Sequence, residues 1–257
     1  MFKKYNTILL LIFMANFLSS CNIGHNNTIN SSQSMGTNPQ LESKTYDLLS
    51  KNYINADIKI SYPQLVNLYD TKKQNDINDL IKNEALKVLN YYKDSEEAIS
   101  LEIKYETICR DENLMSIQYT GLGEVKNSAH PNNLFFTTNV SIKDGKKVTL
   151  TDVINVNSNL VKKLKNGDFT VSGNVIDKAE IIERINNNSD EELINMLINA
   201  DSLDNIGTEK QSDVFTGFKK DSLVISFSVP HSLGDHIEIE IKYDVIKDNF
   251  KNGIKLQ

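Results

Sequence analysis

Alternation of apolar and polar residues is the dominant signal along this chain. Leu134, Phe136, Thr138, Val140 and Ile142 fall on one side of a period-2 pattern, and Phe135, Thr137, Asn139 and Ser141 on the other. That spacing predicts a strand with one buried face. Lys143-Asp144-Gly145-Lys146 then reads as a tight turn, because glycine accepts the positive φ that hairpin turns demand. Val148 and Leu150 carry the alternation into a partner strand. Upstream, Tyr46–Leu49 and Tyr53–Tyr62 read as two strands, the second with Ile54, Ala56, Ile58 and Ile60 on one face and Tyr62-Pro63-Gln64 as its end. Ile99–Arg110 alternates with Leu101, Ile103, Tyr105, Thr107 and Cys109 on one side. Asp111-Glu112-Asn113 makes a turn, and Met115, Ile117 and Tyr119 continue into another strand. Gly121 and Gly123 then predict a bulge or bend. Near the C-terminus, Leu223, Ile225, Phe227 and Val229 alternate with Val224, Ser226 and Ser228, and Ile237, Ile239, Ile241 and Tyr243 alternate with Glu238, Glu240 and Lys242.

Between the strands the period changes to that of helices. Ile77, Leu80, Ile81, Ala85, Val88, Leu89 and Tyr92 follow the i, i+3, i+4 spacing of one face, predicting a helix over 76–93 that packs on the sheet. Asn75 or Asp76 can cap its start, and Lys82, Glu84 and Lys87 lie off the stripe, so solvation is expected. Further helices are predicted over Ser158–Lys165, over Asp177–Ile185 and after Ser189, where Ser189 and Glu192 have capping-box spacing. The whole pattern predicts an α+β fold, an antiparallel sheet with helices packed on it.

The first residues follow a different pattern. Lys3 and Lys4 precede the apolar run Ile8–Met14, which is too short for a spanning helix of about 20 residues. Leu18-Ser19-Ser20-Cys21 then has the form of a lipobox, so residues 1–20 read as a lipoprotein signal peptide and Cys21 as the acylated residue. Residues 21–43 are rich in Asn, Ser, Thr and Gln and read as a flexible tether. As a coil it would hold the folded part roughly 25 Å from the membrane on average. His25 within it reads as solvated.

Composition narrows the function classes. The chain has 257 residues, a net charge of −6 and only two cysteines. The acidic balance argues against a nucleic-acid partner, and two cysteines cannot build a disulfide framework. Cys109 alternates with core positions and lacks the electropositive setting of a reactive thiol. Gly121 and Gly123 do not make a phosphate loop, since a third glycine and a following helix are missing. His231, Asp235 and His236 form the one close group of ligand-type residues. With His130 they could bind zinc, but the spacing is that of a turn between strands. His130 with Ser128 and Asp144 could be drawn as a triad, though nearness in sequence is poor evidence for triad geometry. No catalytic residue, metal or cofactor is assigned. His130, His231 and His236 stand as binding candidates.

Several motifs also occur in a recognisable order. They are Tyr62-Pro63-Gln64 before an amphipathic helix, Ala129-His130-Pro131, Thr138-Asn139, Asp144-Gly145-Lys146, Leu150-Thr151-Asp152, and Phe218 with Leu223–Phe227. This set resembles the extracytoplasmic domain shared by RsiV, a lysozyme-sensing anti-sigma factor, and the PdaC peptidoglycan deacetylases. The resemblance covers residues 45–248. It departs from the family at Asn127-Ser128, where a Gly-Gly pair is usual, and at Val229–His236, where a Tyr-containing loop is usual. It implies a PdaC-like α+β part over 44–152 and an RsiV-like α+β part over 153–257. The deacetylases' separate catalytic domain and the sensor's cytoplasmic segment have no counterpart in these 257 residues, so neither activity carries over. The expectation is a lipoprotein on the outer face of the membrane with a non-catalytic binding domain. The resemblance implies peptidoglycan glycan, or a wall-active protein such as lysozyme, as partner. The alternatives are an envelope hydrolase acting on cell-wall polysaccharide through His130 or the His231–His236 pair, and a structural lipoprotein.

The anchor is directly testable. Cys21→Ala should release the protein from the membrane fraction, and a fatty-acid analogue should label the wild type alone. Equal labelling of both would contradict the lipobox.

Overall fold

The computed structural model describes residues 46–171 and 177–251. The expected signal peptide (1–20), Cys21 and the tether (21–43, with His25) lie outside the described residues. The chain is α+β, and among the described residues its strands form a six-stranded and a four-stranded sheet. The larger sheet holds β1 (Asp47–Asn55), β2 (Ile58–Val66), β3 (Ile99–Arg110), β4 (Leu114–Val125), β5 (Asn132–Ser141) and β6 (Lys146–Val148) in sequence order. Neighbours are antiparallel except β2 and β3, which run parallel where Ile58–Ile60 meet Leu101–Ile103. Parallel neighbours need a long crossover. Helix α1 (Thr71–Leu86) and the 3-10 turn Lys87–Tyr92 supply it. Ile77, Ile81, Ala85 and Val88 are fully buried in the core that α1 shares with Ile60, Ile103, Tyr119 and Phe136.

The smaller sheet holds β7 (Thr170–Val171), β8 (Phe215–Phe218), β9 (Ser222–Ser228) and β10 (His236–Lys242) in the order β7-β10-β9-β8. The chain between the sheets forms α2 (Leu150–Val153), α3 (Ser158–Asn166), α4 (Lys178–Asn186) and α5 (Asp190–Ile198). Leu160, Leu164, Ile181, Leu193 and Leu197 of these helices bury against Leu223, Ile225, Ile239 and Ile241 of the sheet. The capping box of Ser189 and Glu192 starts α5 as its spacing predicts. The last helix, α6 (Tyr243–Ile246), follows β10 directly.

The two sheets meet without sharing a strand. β8 is an edge strand, so one side of its backbone has no ladder partner. Side chains complete it instead. Thr216 N–H donates to Asp201 Oδ1 at 2.6 Å. Thr216 C=O accepts from Thr137 Oγ1 at 2.7 Å and Asn139 Nδ2 at 2.9 Å. Phe218 N–H donates to Ser116 Oγ at 3.0 Å, and Ser116 Oγ donates to Asn139 Oδ1 at 2.5 Å. A β-carbon on Gly217 would stand 2.5 Å from the Ile108 side chain, so glycine lets β8 approach this closely. Asp201 also accepts from Leu150 N–H at 2.9 Å and Thr216 Oγ1 at 2.7 Å. Burial pushes its carboxyl up in pKa, against the hydrogen bonds from Thr216 and Leu150 that favour the anion.

Several expectations are corrected by this arrangement. β5 is buried on both faces from Phe135 to Val140, because β8 covers the face that the alternation leaves to solvent. The strand expected over Tyr53–Tyr62 is a hairpin, with Asn55 paired to Ile58 across Ala56-Asp57. A two-residue turn flips the parity of the faces, so Ile54 is 68% exposed while Ile60 is buried. β2 runs on through Pro63, which is tolerated because β3 pairs only with Ile58–Ile60. The first helix starts five residues early, with Asp70 rather than Asn75 or Asp76 as its cap, and tightens to 3-10 after Leu86. Glu84 and Lys87 are not solvated. Glu84 bridges Lys87 and Lys147 at 2.6 Å each, and Lys147 Nζ also donates to the Asp201 carbonyl at 2.6 Å. Gly121 and Gly123 sit in regular ladder positions, and the β3–β4 register shifts between Thr107 and Cys109 instead. Leu150 opens α2 rather than extending β6, since Thr149 and Asp152 form a capping box. Tyr243 likewise opens α6 rather than ending β10.

The outer face of β10 sets an acid dependence of stability. Lys219 Nζ lies 2.5 Å from Glu240 Oε2, and Ser222 Oγ donates to Oε1 at 2.8 Å. Chiefly through the Lys219 ammonium, with burial opposing and Ser222 and Lys242 adding, the Glu240 pKa falls from 4.5 to about 2. The unfolded chain therefore binds this proton more readily, and the stability from Glu240 is lost as pH falls from 4.5 towards 2. Urea midpoints of the wild type should drop across that window more steeply than those of Glu240→Gln. Parallel slopes would contradict the ion network.

Candidate functional site

Where the second sheet rises away from β5 it leaves a cleft of ≈ 270 Å³. Asn132, Asn133, Leu134 and Phe135 at the start of β5 form one wall. Tyr91 and Tyr92 of the 3-10 turn form another, and Asp213, Phe215, Ser226, Ser228, Val229, Asp235 and His236 complete it. Ser226 lies on the polar phase of β9, opposite the Leu223, Ile225 and Phe227 side that faces the helices. It is 1% exposed.

The lip of the cleft is the connection from β9 to β10. A 3-10 turn at His231–Leu233 ends on Gly234 with φ 101°, and Asp235 follows at φ 71°. Val229 N–H closes the loop on the Asp235 carbonyl at 2.9 Å. The Asp235 side chain then reaches across to the first sheet. Its Oδ2 accepts from Asn133 N–H at 2.7 Å and from Asn133 Nδ2 at 3.0 Å. Burial alone would raise the Asp235 pKa. The Asn133 backbone N–H and the His231 ring outweigh it and hold the carboxyl below the usual carboxylate range.

All three histidine candidates gather at this lip. His231 Nδ1 stands 3.0 Å from Asp235. The ring of His130, from the loop before β5, stacks on the His231 ring with centroids 3.5 Å apart and planes 5° from parallel. His236 lines the cleft itself, tilted against Phe135 at 5.1 Å, with Nδ1 2.5 Å from Glu238 Oε1. Asp144 belongs elsewhere, since it closes the β5–β6 turn through Ser141 at 2.8 Å. Among the described residues, the side-chain partners of His231 and His236 are the Asp235 and Glu238 carboxylates, and no hydroxyl or thiol hydrogen-bonds to any of the three imidazoles. Cys109 is half-buried beside Asp111, and burial first, then that carboxylate, pushes its thiol up to about 11. A thiol held so high is almost wholly protonated at neutral pH.

Four lining residues go unmarked in the sequence reading. Tyr92 ends a helical stripe and reads as core, and Tyr91 lies outside that stripe. The Tyr91 hydroxyl donates to Asp213 Oδ1 at 3.0 Å, and burial, then Asp213, pushes its phenol pKa upward. Asp213 lies in a stretch without periodicity. Ser226 sits in the alternation of β9, where a serine on the face away from the helices was the available signal. Gly123 has its own role here, because a β-carbon would stand 1.9 Å from the Tyr92 hydroxyl. Glycine in β4 thus makes room for the ring that walls the cleft.

No family model matches the chain, and no curated protein matches it. Among solved structures, the chain is similar to a member of the DUF3298 family from Bacteroides fragilis NCTC 9343. The two share 13% identity over 80% of this chain and 93% of that one, with a TM-score of 0.47. It is also similar to a DUF3298 family protein from Pseudomonas aeruginosa PAO1, at 10% identity over 80% of this chain and 94% of that one, with a TM-score of 0.49. Both neighbours are described as DUF3298 family proteins.

Proposed function

We propose that this chain is an extracytoplasmic lipoprotein, anchored through Cys21, whose folded part is a non-catalytic binding domain for cell-wall glycan. One observation carries the reading. The cleft between the sheets mixes aromatic walls with hydrogen-bonding side chains that converge from four separate elements. Saccharides need that mixture, apolar faces for their C–H surfaces and polar groups for their hydroxyls. The imidazole–carboxylate pairs at its lip serve as braces. Of the two, the His231–Asp235 pair holds the β9–β10 connection against Asn133, which supports binding over hydrolysis.

Calorimetry tests this on the full lipidated chain in detergent micelles, titrated with soluble peptidoglycan glycan strands. Binding with Kd of about 1 mM or tighter is expected, without release of shorter fragments. Ser228 is exposed and lines the cleft, so Ser228→Trp should block binding while leaving the fold intact by circular dichroism. Glycan shortening by the wild type would favour the hydrolase. Lysozyme binding that Ser228→Trp leaves unchanged, with no glycan binding, would move the recognition surface away from the cleft.

A further inference from the structure

The charges of the cleft are one-signed. Asp213 and Asp235 line it, and among the described residues no lysine or arginine does. This is a local property and not merely the acidity of the chain, because a second cavity beside Cys109 carries Arg110, Lys219 and Lys220. His231 is engaged with Asp235 and His236 with Glu238, which adds a further carboxylate beside the cleft. The floor holds a polar group with unused capacity. Ser226 is 1% exposed, and its hydroxyl has no hydrogen-bond partner among the described residues, although it lines the cleft. Tyr91, Tyr92 and Phe135 supply ring surface around these groups.

Carboxylates beside aromatic rings in a partly desolvated cleft are the setting that recognises an ammonium group. The rings attract a cation through their faces, and the carboxylates attract it more strongly than they would in bulk water. An ammonium offers three N–H donors, and Asp213, Asp235 and the Ser226 hydroxyl are acceptors in matching number. A neutral acetamido group gains none of the charge attraction. Resting on the glycan-binding reading, we infer that the cleft selects sugars bearing a free amino group, glucosamine units over N-acetylglucosamine units, with Asp213, Asp235 and Ser226 holding the ammonium.

The test uses the full lipidated chain in detergent at about pH 6, where such amines are protonated. Four probes are titrated by calorimetry: the glucosamine tetramer, the N-acetylglucosamine tetramer, a neutral glucose tetramer, and a lysine derivative blocked at both its amino and carboxyl ends. The glucosamine tetramer should bind at least about tenfold more tightly than either neutral tetramer. The margin should narrow as salt rises from about 20 to 200 mM, because screening weakens the charge contribution. Asp213→Asn keeps an acceptor for the Tyr91 hydroxyl, so the fold should persist while the preference falls below about threefold. Equal binding of all three tetramers, or preference for the acetylated one, would overturn the ammonium site and leave the glycan reading standing. Binding of the lysine derivative with no tetramer bound would overturn the sugar assignment and the glycan reading together. A preference that Asp213→Asn leaves unchanged would also overturn the site.

Discussion

A buried carboxylate and an unpaired strand edge depend on one another at the centre of this molecule. The edge of β8 carries backbone groups that would be costly to bury without partners. Asp201 is a carboxylate that would be costly to bury without donors. Thr216 N–H and Oγ1 answer Asp201, and Thr137 and Asn139 answer the Thr216 carbonyl. Each deficit is removed by the other, and the seam fixes β8 against β4 and β5. Apolar packing is tolerant of small slides. A set of short hydrogen bonds between named atoms is not, so the relative placement of the sheets follows from the polar seam rather than from the two cores. The same placement determines where β9 and β10 leave β5, and hence where the cleft opens. Asp235 repeats the device at the lip, tying the β9–β10 connection to Asn133.

Most of the individual elements were legible, and the seam was not. β3 matches the alternation from Ile99 to Arg110, and the helix after Ser189 starts where its capping box says. Those signals are local, because period and caps are written within a few residues. β5 shows the limit. Its polar phase, Phe135, Thr137, Asn139 and Ser141, reads as a solvent face, and nothing nearby says that a strand some 77 residues later will cover it. Parity shows another limit. Ile54 and Ile58 look like one face until the two-residue turn at Ala56-Asp57 separates them. Asp201 and Asp213 lie in a stretch without period, where a buried carboxylate cannot be told from a solvated one. The histidines were visible as residues, but their convergence, with His130 stacked on His231, depends on the two sheets meeting.

The separation of roles follows from burial. Deep carboxylates such as Asp201 have all their bonding directed inward and serve the fold. Those bordering the cleft, Asp213 and Asp235, are only partly buried, and Ser226 lines the cleft beside them. The structural groups thus sit behind the recognition groups, along the same β5–β8 contact. A ligand between Tyr91 and Asp235 would touch both sheets. Its binding would draw on the same alignment that the seam maintains.

Native-state hydrogen exchange at the Thr216 and Phe218 amides tests the central claim most directly. If Asp201 and Ser116 complete the β8 edge, both amides should exchange only through global unfolding, with protection equal to the stability measured in denaturant. Exchange at the rate of an open strand edge, while amides of β9 remain protected, would show that the seam does not hold the sheets together.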